Sequence, residues 1–261
     1  MTSPHLMLRS SYEYGLPPEL IAQRPLAKRD TSRLLHLNRS TGEVTHRRFT
    51  DILDLLRPGD LLVRNRTRVL PARLLGRKPS GGRIEVLLHH RMGENLWECL
   101  VRPGRRLQPG ARVEFTDGLE AEIVDRTEDG GRLVRFHCEG DFEQALEEAG
   151  RMPLPPYIHR PADERDTRDY QTVYARESGS VAAPTAGLHF TPEILSRLED
   201  LGVQTAEVVL HVGLGTFRPV KTEDIREHVM HSEDCELPPE TAAAVNAARA
   251  EGRRVIAVGT T

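Results

Sequence analysis

The stretch TPEILSRLEDLGVQTAEVVLHV, residues Thr191–Val212, predicts a helix followed by a buried strand. Its opening threonine and Pro192 are typical of a helix start, and Gly202 is typical of a helix end. The same order recurs over Pro238–Val258, where an alanine-rich helix ends at Gly252 before the apolar run RRVIAV. Because helix and strand alternate twice, the sequence predicts a parallel sheet.

The residues from Asp60 to His137 show a different pattern. Short strand-like runs alternate with turn signals and predict a small barrel or sandwich. The runs are LLVRN, VLPARLLG, RIEVLLHH, LWECLVR, ARVEF, LEAEIVD and RLVRFH. Helical segments bracket this block, as expected for an insertion. We therefore predict a mostly parallel α/β domain, residues 1–58 and 148–261, with residues 59–147 inserted as an all-β, barrel-like domain.

Three loops rich in small residues stand next to the predicted strands and helices. They are GSVAAPTAGLHF (Gly179–Phe190), HVGLGTFRPV (His211–Val220) and GTT (Gly259–Thr261). In a parallel sheet such loops meet at the carboxyl edge, where α/β proteins bind ligands. Gly213 and Gly215 would let a ligand approach the backbone, although glycines after a strand are also ordinary turn residues. The N–H groups of the helix start suit a carboxylate or phosphate.

Composition narrows the class of protein. The chain of 261 residues contains no apolar run near the roughly 18 residues that a membrane helix needs, and its first ten residues lack a signal-peptide core. We therefore expect a cytoplasmic protein. Its three cysteines are widely spaced without a CxxC pair, which argues against a disulfide framework or a zinc ribbon and favours buried, inert thiols.

Positive charge is concentrated in one stretch. The net charge is −3, yet residues 57–112 hold 13 Arg or Lys and 4 Asp or Glu. If these side chains share a face, their positive charge can bind a phosphate backbone. The alternative interpretation is a solvated β surface on which the arginines form salt bridges. The arginines concerned are Arg64, Arg66, Arg68, Arg73 and Arg77.

Histidines and tyrosines supply candidate reactive groups. Acid–base work or metal ligation suits His189, His211 and His228, since imidazole titrates near neutrality, but hydrogen bonding alone would also explain each one. His228 and His231 form HxxH before Glu233, without the HExxH signature of a zinc site. Tyr170 and Tyr174 offer aromatic faces for a base or a cation, or for ordinary packing.

Several idiosyncratic segments occur in an order that resembles one known family. They include LPPELIAQRP (Leu16–Pro25), RNRTRVLPARLLG (Arg64–Gly76), GRMPLPPYI (Gly150–Ile158), YQTVYA, HVMHSE and the three loops above. Nearly the whole chain is similar to the S-adenosylmethionine:tRNA ribosyltransferase-isomerase family of queuosine biosynthesis.

The resemblance implies a reaction. The family transfers the ribosyl part of S-adenosylmethionine to 7-aminomethyl-7-deazaguanine at the tRNA wobble position and isomerises it to epoxyqueuosine, releasing adenine and methionine. S-adenosylmethionine would be a co-substrate, no cofactor would be bound permanently, and tRNA would be the partner of a protein expected to be monomeric and free of membrane and metal.

Roles follow on this hypothesis. His189, His211 and His228 would act in acid–base steps, with Glu233 orienting one of them. Arg218 would bind the methionine carboxylate, and the five arginines named above would hold the anticodon stem-loop. The S-adenosylmethionine pocket would be shaped by Thr185, Gly187, Gly213, Gly215, Thr216, Tyr170 and Tyr174.

The resemblance is incomplete at one end. The family's GTT motif leads into a further stretch, whereas this sequence stops at Thr261, so part of the sheet and of the active site is expected to be missing from it. Two alternatives therefore stay open: a catalytically incomplete tRNA-binding fragment, and a metal-dependent hydrolase built on His211, His228 and His231.

Overall fold

The computed structural model describes residues 7–116, 118–128, 130–217, 219–230 and 232–260. The helices are α1 (Ile52–Leu55), α2 (Phe142–Ala149), α3 (Glu164–Asp169), α4 (Pro192–Asp200) and α5 (Pro239–Ala250). The strands are β1 (Arg33–Leu37), β2 (Val44–Arg48), β3 (Leu61–Asn65), β4 (Thr67–Val69), β5 (Arg73–Arg77), β6 (Arg83–Gly93), β7 (Leu96–Arg102), β8 (Arg112–Thr116), β9 (Leu119–Arg126), β10 (Arg132–Cys138), β11 (Gly150–Arg151), β12 (Glu177–Ser180), β13 (Gln204–Leu210), β14 (Cys235–Glu236) and β15 (Val255–Ala257).

The α/β unit is built on a sheet with the strand order β14-β13-β3-β15. Strands β13 and β15 run parallel to β3, and β14 is antiparallel at one edge. Alternation along β3 places Leu62 among the apolar residues of α4 and Leu61 beside Ala248 of α5. Helices therefore cover both faces of the parallel strands, which confirms the predicted α/β architecture.

The helix starts follow from local capping. The Thr191 hydroxyl accepts a hydrogen bond from the Ile194 N–H at 3.3 Å, and Pro192 occupies the first turn of α4. The Asp141 carboxylate accepts from the Gln144 N–H at 2.9 Å and begins α2. Gly202 has φ +86°, a left-handed conformation that ends α4 and turns the chain into β13.

The inserted unit is a closed antiparallel barrel. Its strands follow the order β5-β6-β7-β10-β9-β8, and the pairing of Arg77 with Glu114 joins β8 back to β5. Inward-facing apolar side chains fill the interior, since successive residues of a strand point to opposite faces. They include Leu74, Val86, Ile123, Val134 and Phe136. The predicted barrel is therefore confirmed.

One strand-like run belongs to a different sheet from the one predicted. The run LLVRN, grouped with the barrel on its strand-like composition, forms β3 and lies between β13 and β15 in the parallel sheet. Only the first three residues of β3, Leu61–Val63, are apolar, and a run of three is too short to distinguish a buried parallel strand from a barrel strand. The barrel strands begin at Arg73, while the domain boundaries at residues 58 and 148 stay a prediction.

Two smaller expectations meet the structure here. Within the described residues, no helix combines the length and apolar character needed to cross a membrane. Cys99 is buried in the barrel, where burial raises the pKa of its thiol, whereas Cys138 is half-buried and Cys235 is exposed. The expectation of buried thiols is wrong for Cys235, because β14 is a two-residue strand at the edge of the sheet.

Candidate active site

A cavity of about 170 Å³ lies where the barrel meets the carboxyl edge of the parallel sheet. The barrel contributes the end of β6 and Trp97, and α2 closes one side. The α/β unit contributes the end of β12, the loop after β13 and the segment Ser232–Asp234. Its polar lining residues are His89, His90, Arg91, Glu143, Ser178, His211, Ser232, Glu233 and Asp234.

His211 is the predicted catalytic histidine that lines this cavity. Its Nδ1 lies 2.8 Å from the hydroxyl of Thr67, a fully buried residue of β4. Burial lowers the pKa of His211, although Asp234 and Glu177 act in the opposite direction. Its ring packs on Gly179, where an added Cβ would lie 2.7 Å from the imidazole Cε1. The side chain is thus held in one position and favoured in its neutral form.

Buried polar groups fix the loop that carries His211. The Asn65 amide donates to the Leu210 carbonyl at 2.9 Å, and its oxygen accepts from the Leu210 N–H at 3.1 Å. The Ser180 hydroxyl accepts from the Val212 N–H at 2.9 Å. Gly213 then donates its N–H to Glu233 Oε1 at 2.9 Å. Predicted site residues His211, Gly213 and Glu233 are therefore brought together.

His89 and His90, which the sequence analysis did not select, form the side of the cavity that the barrel contributes. The pairing of β6 with β7 shifts by one residue between Leu88 and His90, so His89 is the extra residue of a β-bulge. An added Cβ on Gly213 would lie 3.1 Å from His89 Cε1, and His90 Nδ1 lies 3.4 Å from Asp234 Oδ2. The sequence shows only two consecutive histidines in a strand; the bulge that turns them towards the loop is a tertiary feature.

A second group of predicted residues gathers on the α4 face of the sheet. Tyr174 is buried, and burial raises the pKa of its phenol to about 12. The Arg64 guanidinium carbon lies 4.5 Å from the Tyr174 ring centroid, and Arg64 Nη2 donates to Glu207 Oε1 at 2.8 Å. Gly187 packs directly on the phenol, since an added Cβ would lie 2.2 Å from the Tyr174 hydroxyl.

The two groups are close along the chain. Ser178 at the cavity follows Tyr174 by four positions in the sequence, and a chain of that length spans at most about 14 Å. The backbone of Tyr174 therefore lies within about 14 Å of the backbone of Ser178 at the cavity.

Other predicted site residues lie elsewhere among the described residues. His189 contacts Phe49 at 5.3 Å between ring centroids, and its Nδ1 lies 3.4 Å from the Arg29 carbonyl. Tyr170 is buried beside Ala183, and burial raises the pKa of its phenol. The remaining predicted residues do not line the cavity: exposed Thr185 in a 3-10 helix, Gly215 and Thr216 in another, and half-buried His228. Arg218, His231 and Thr261 lie outside the described residues.

Four of the five arginines predicted to bind tRNA form ion pairs. They come from both units, because Arg64 belongs to β3 of the parallel sheet and Arg73 to the barrel. The pairs are Arg64–Glu207 at 2.8 Å, Arg66–Glu177 at 3.6 Å, Arg68–Glu147 at 3.0 Å and Arg73–Glu85 at 3.1 Å. The fifth, Arg77, is exposed and lines an open groove on the barrel.

Metal ligation finds no geometric support in the part of the chain that the structure describes. There, no three His, Cys, Asp or Glu side chains are grouped so that they could hold an ion.

A partly open cavity lined by histidines and carboxylates lies between the α/β sheet and the inserted barrel. Such a cleft at the junction of two units is typical of an enzyme. The sequence model of the queuosine biosynthesis protein family matches residues 9–261. The chain therefore belongs to the S-adenosylmethionine:tRNA ribosyltransferase-isomerase family of queuosine biosynthesis proteins.

Named relatives are similar over most of their length. The S-adenosylmethionine:tRNA ribosyltransferase-isomerase of Heliobacterium modesticaldum is 56% identical, covering 96% of this chain and 73% of the relative. That of Carboxydothermus hydrogenoformans is 57% identical over 98% of this chain and 75% of the relative. A crystal structure of the S-adenosylmethionine tRNA ribosyltransferase of Thermotoga maritima is 37% identical, with a TM-score of 0.42, over 94% of this chain and 68% of that one.

Proposed function

We propose that the protein, acting as a cytoplasmic monomer, transfers and isomerises the ribosyl moiety of S-adenosylmethionine onto 7-aminomethyl-7-deazaguanine at the tRNA wobble position. The products are epoxyqueuosine-tRNA, adenine and methionine. Membership of the family supports the reaction class. We assign the reaction to this site because the half-buried His211 lies in the cavity between the two units.

His211 meets the requirement for a base. The sulfonium of S-adenosylmethionine acidifies the adjacent C5′ protons, and a neutral imidazole can remove one of them. The Thr67 hydroxyl lies 3.5 Å from the Glu177 carbonyl. When it donates there, it accepts from His211 Nδ1–H and leaves Nε2 as the proton acceptor. Glu233 fixes the backbone beside this imidazole through the Gly213 N–H.

The other assigned residues remain part of the proposal. His189 and His228 serve the later acid–base steps, which include protonation of the departing adenine. S-adenosylmethionine lies along the loops that contain Thr185, Gly187, Gly213, Gly215 and Thr216, with Tyr170 and Tyr174 beneath them. Arg218 binds the methionine carboxylate, because a guanidinium matches a carboxylate bidentately. The short chain between Tyr174 and Ser178 supports one continuous substrate site.

The direct test measures adenine released from S-adenosylmethionine, with and without tRNA carrying 7-aminomethyl-7-deazaguanine, followed by mass analysis of the tRNA nucleosides. Release that depends on the modified tRNA, with the ribosyl-derived mass added to its base, supports the proposal. Folded protein that releases no adenine under these conditions contradicts it.

His211 also gives the reaction a defined pH dependence. Because burial lowers its pKa, we expect kcat/KM to fall on the acid side with a midpoint below the ordinary histidine value of about 6.5. His211→Ala should reduce turnover by about 10²–10⁴-fold and abolish that limb. The matched control is His137→Ala, which removes an exposed imidazole of β10. An unchanged acid limb in His211→Ala would remove His211 from the mechanism.

A further inference from the structure

A second concave surface lies on the outside of the barrel, away from the histidine cavity. It is an open groove of about 1180 Å³ along β5, β6 and β8. Four arginines from four strands line it, and all four side chains are exposed. They are Arg77, Arg83, Arg102 and Arg151.

The groove carries an excess of positive charge. Of its three lining glutamates, Glu85 receives two hydrogen bonds from Arg73, each 3.1 Å long. Glu114 and Glu120 then face the four arginines. The adjoining turn adds exposed Arg105 and Arg106, and the hydrogen bond from Lys78 Nζ to the Arg106 carbonyl at 2.9 Å holds that turn against the β5–β6 hairpin.

The strand register places like charges against each other. Arg77 stands directly opposite Arg83 in the antiparallel pair β5–β6, and Arg73 stands opposite Arg151 in the pair β5–β11. On their other sides, Arg77 is opposite Glu114 of β8, and Arg102 of β7 is opposite Glu85. Directly opposed like charges destabilise an antiparallel pair. Neighbouring guanidinium groups of this kind are favourable when a polyanion neutralises them, because each fork matches a phosphate.

We propose that this groove binds the phosphate backbone of the tRNA substrate, an inference that rests on the proposed function. Strand β6 connects the groove to the cavity: from Arg83 to His89 it advances six residues, about 20 Å. An RNA seated in the groove can therefore present an extruded base to the cavity at the other end of the same strand. Arg64 and Arg66 are committed to Glu207 and Glu177 and do not contribute to this surface.

The test neutralises two groove arginines, Arg83→Gln with Arg102→Gln. The control, Arg135→Gln with Arg197→Gln, removes the same charge from exposed sites on β10 and α4 outside the groove. Binding of an anticodon stem-loop RNA is measured by fluorescence anisotropy over a series of salt concentrations, after circular dichroism has established that each variant is folded.

For the groove variant we expect about tenfold weaker binding and a salt slope lower by about two, since each lost phosphate contact removes about one. The control should match the unaltered protein. Equal affinity and slope in the groove variant overturn this proposal alone, while absence of RNA binding and of adenine release in the unaltered protein overturns the proposed function as well. Polyglutamate is tested in the same assay as an acidic peptide. If the groove variant loses binding of polyglutamate but keeps binding of RNA, the groove binds an acidic protein and the proposal is overturned.

Discussion

The arginines of the basic stretch between Arg57 and Arg112 lie in two different environments. Arg64 and Arg66 lie at the parallel sheet, with side chains 11% and 19% exposed, and both reach the carboxylate of Glu207. Arg77, Arg83 and the other groove arginines stand exposed on the barrel, with like charges opposed. The first group is neutralised inside the fold, and the second is available to a partner.

The comparison shows that a run of arginines does not by itself define a nucleic-acid surface. Removing one partner of a buried ion pair leaves an uncompensated charge and is strongly destabilising, whereas exposed charges affect stability little and association strongly. Substitutions in the two groups should therefore have opposite signatures: a loss of stability in the first, and a loss of RNA affinity in the second.

The largest effect is expected at Glu207. Glu207→Gln removes the carboxylate that Arg64 contacts at 2.8 Å and that Arg66 and Arg176 approach at 4.0 and 3.7 Å. It leaves Arg64 as an unpaired, largely buried cation, at a cost of about 3 kcal/mol in the free energy of unfolding. Urea denaturation measures the change.

The groove supplies the control for this measurement. Glu114→Gln removes an exposed carboxylate beside Arg77 and should change the free energy of unfolding by less than about 1 kcal/mol. Equal losses in the two variants would show that the two environments do not differ as the structure indicates.

A smaller effect distinguishes the shape of the cation from its charge. Arg64→Lys keeps the positive charge but loses the paired N–H donors to Glu207 and the planar contact with Tyr174, so we expect a loss of about 1–2 kcal/mol. Arg77→Lys in the groove should stay within about 0.5 kcal/mol. Thermal and urea unfolding of the two variants measure both values. A fully stable Arg64→Lys would mean that charge alone matters at the sheet.

The sequence predicted the architecture because its local signals are consistent. Helix α4 begins and ends where Thr191 and Gly202 indicate, and the alternating runs from Arg73 onwards form the barrel. Closure of the barrel through Arg77 and Glu114 and the transfer of β3 to the other sheet depend on pairings between residues far apart in sequence. No local pattern records such pairings.

The site was predictable only in part, for the same reason. Gly213 and His211 stand out in a small-residue loop, and the structure places both at the cavity, whereas Gly215 does not line it. His89 and His90 reach it through a bulge in β6, which appears only once the register with β7 is known. The arginine stripe is continuous in sequence and divided in space, because β3 and β5 belong to different sheets.

The smallest expected effect has the opposite sign. Arg83→Gln removes one of two guanidinium groups that stand directly opposite each other in β5 and β6. Relief of this repulsion should raise the free energy of unfolding by about 0.2–1 kcal/mol at low salt, and the gain should shrink as salt screens the pair. Urea denaturation at two ionic strengths measures it, with Arg135→Gln as the control on β10.

If Arg83→Gln raises the free energy of unfolding and also weakens RNA binding, then the groove keeps two mutually repelling arginines because they bind RNA. If Arg83→Gln instead destabilised the protein, Arg83 would be held by contacts within the barrel, as Arg64 is within the sheet. The difference between the two arginine groups would then not hold at Arg83, the residue directly opposite Arg77 in the β5–β6 register.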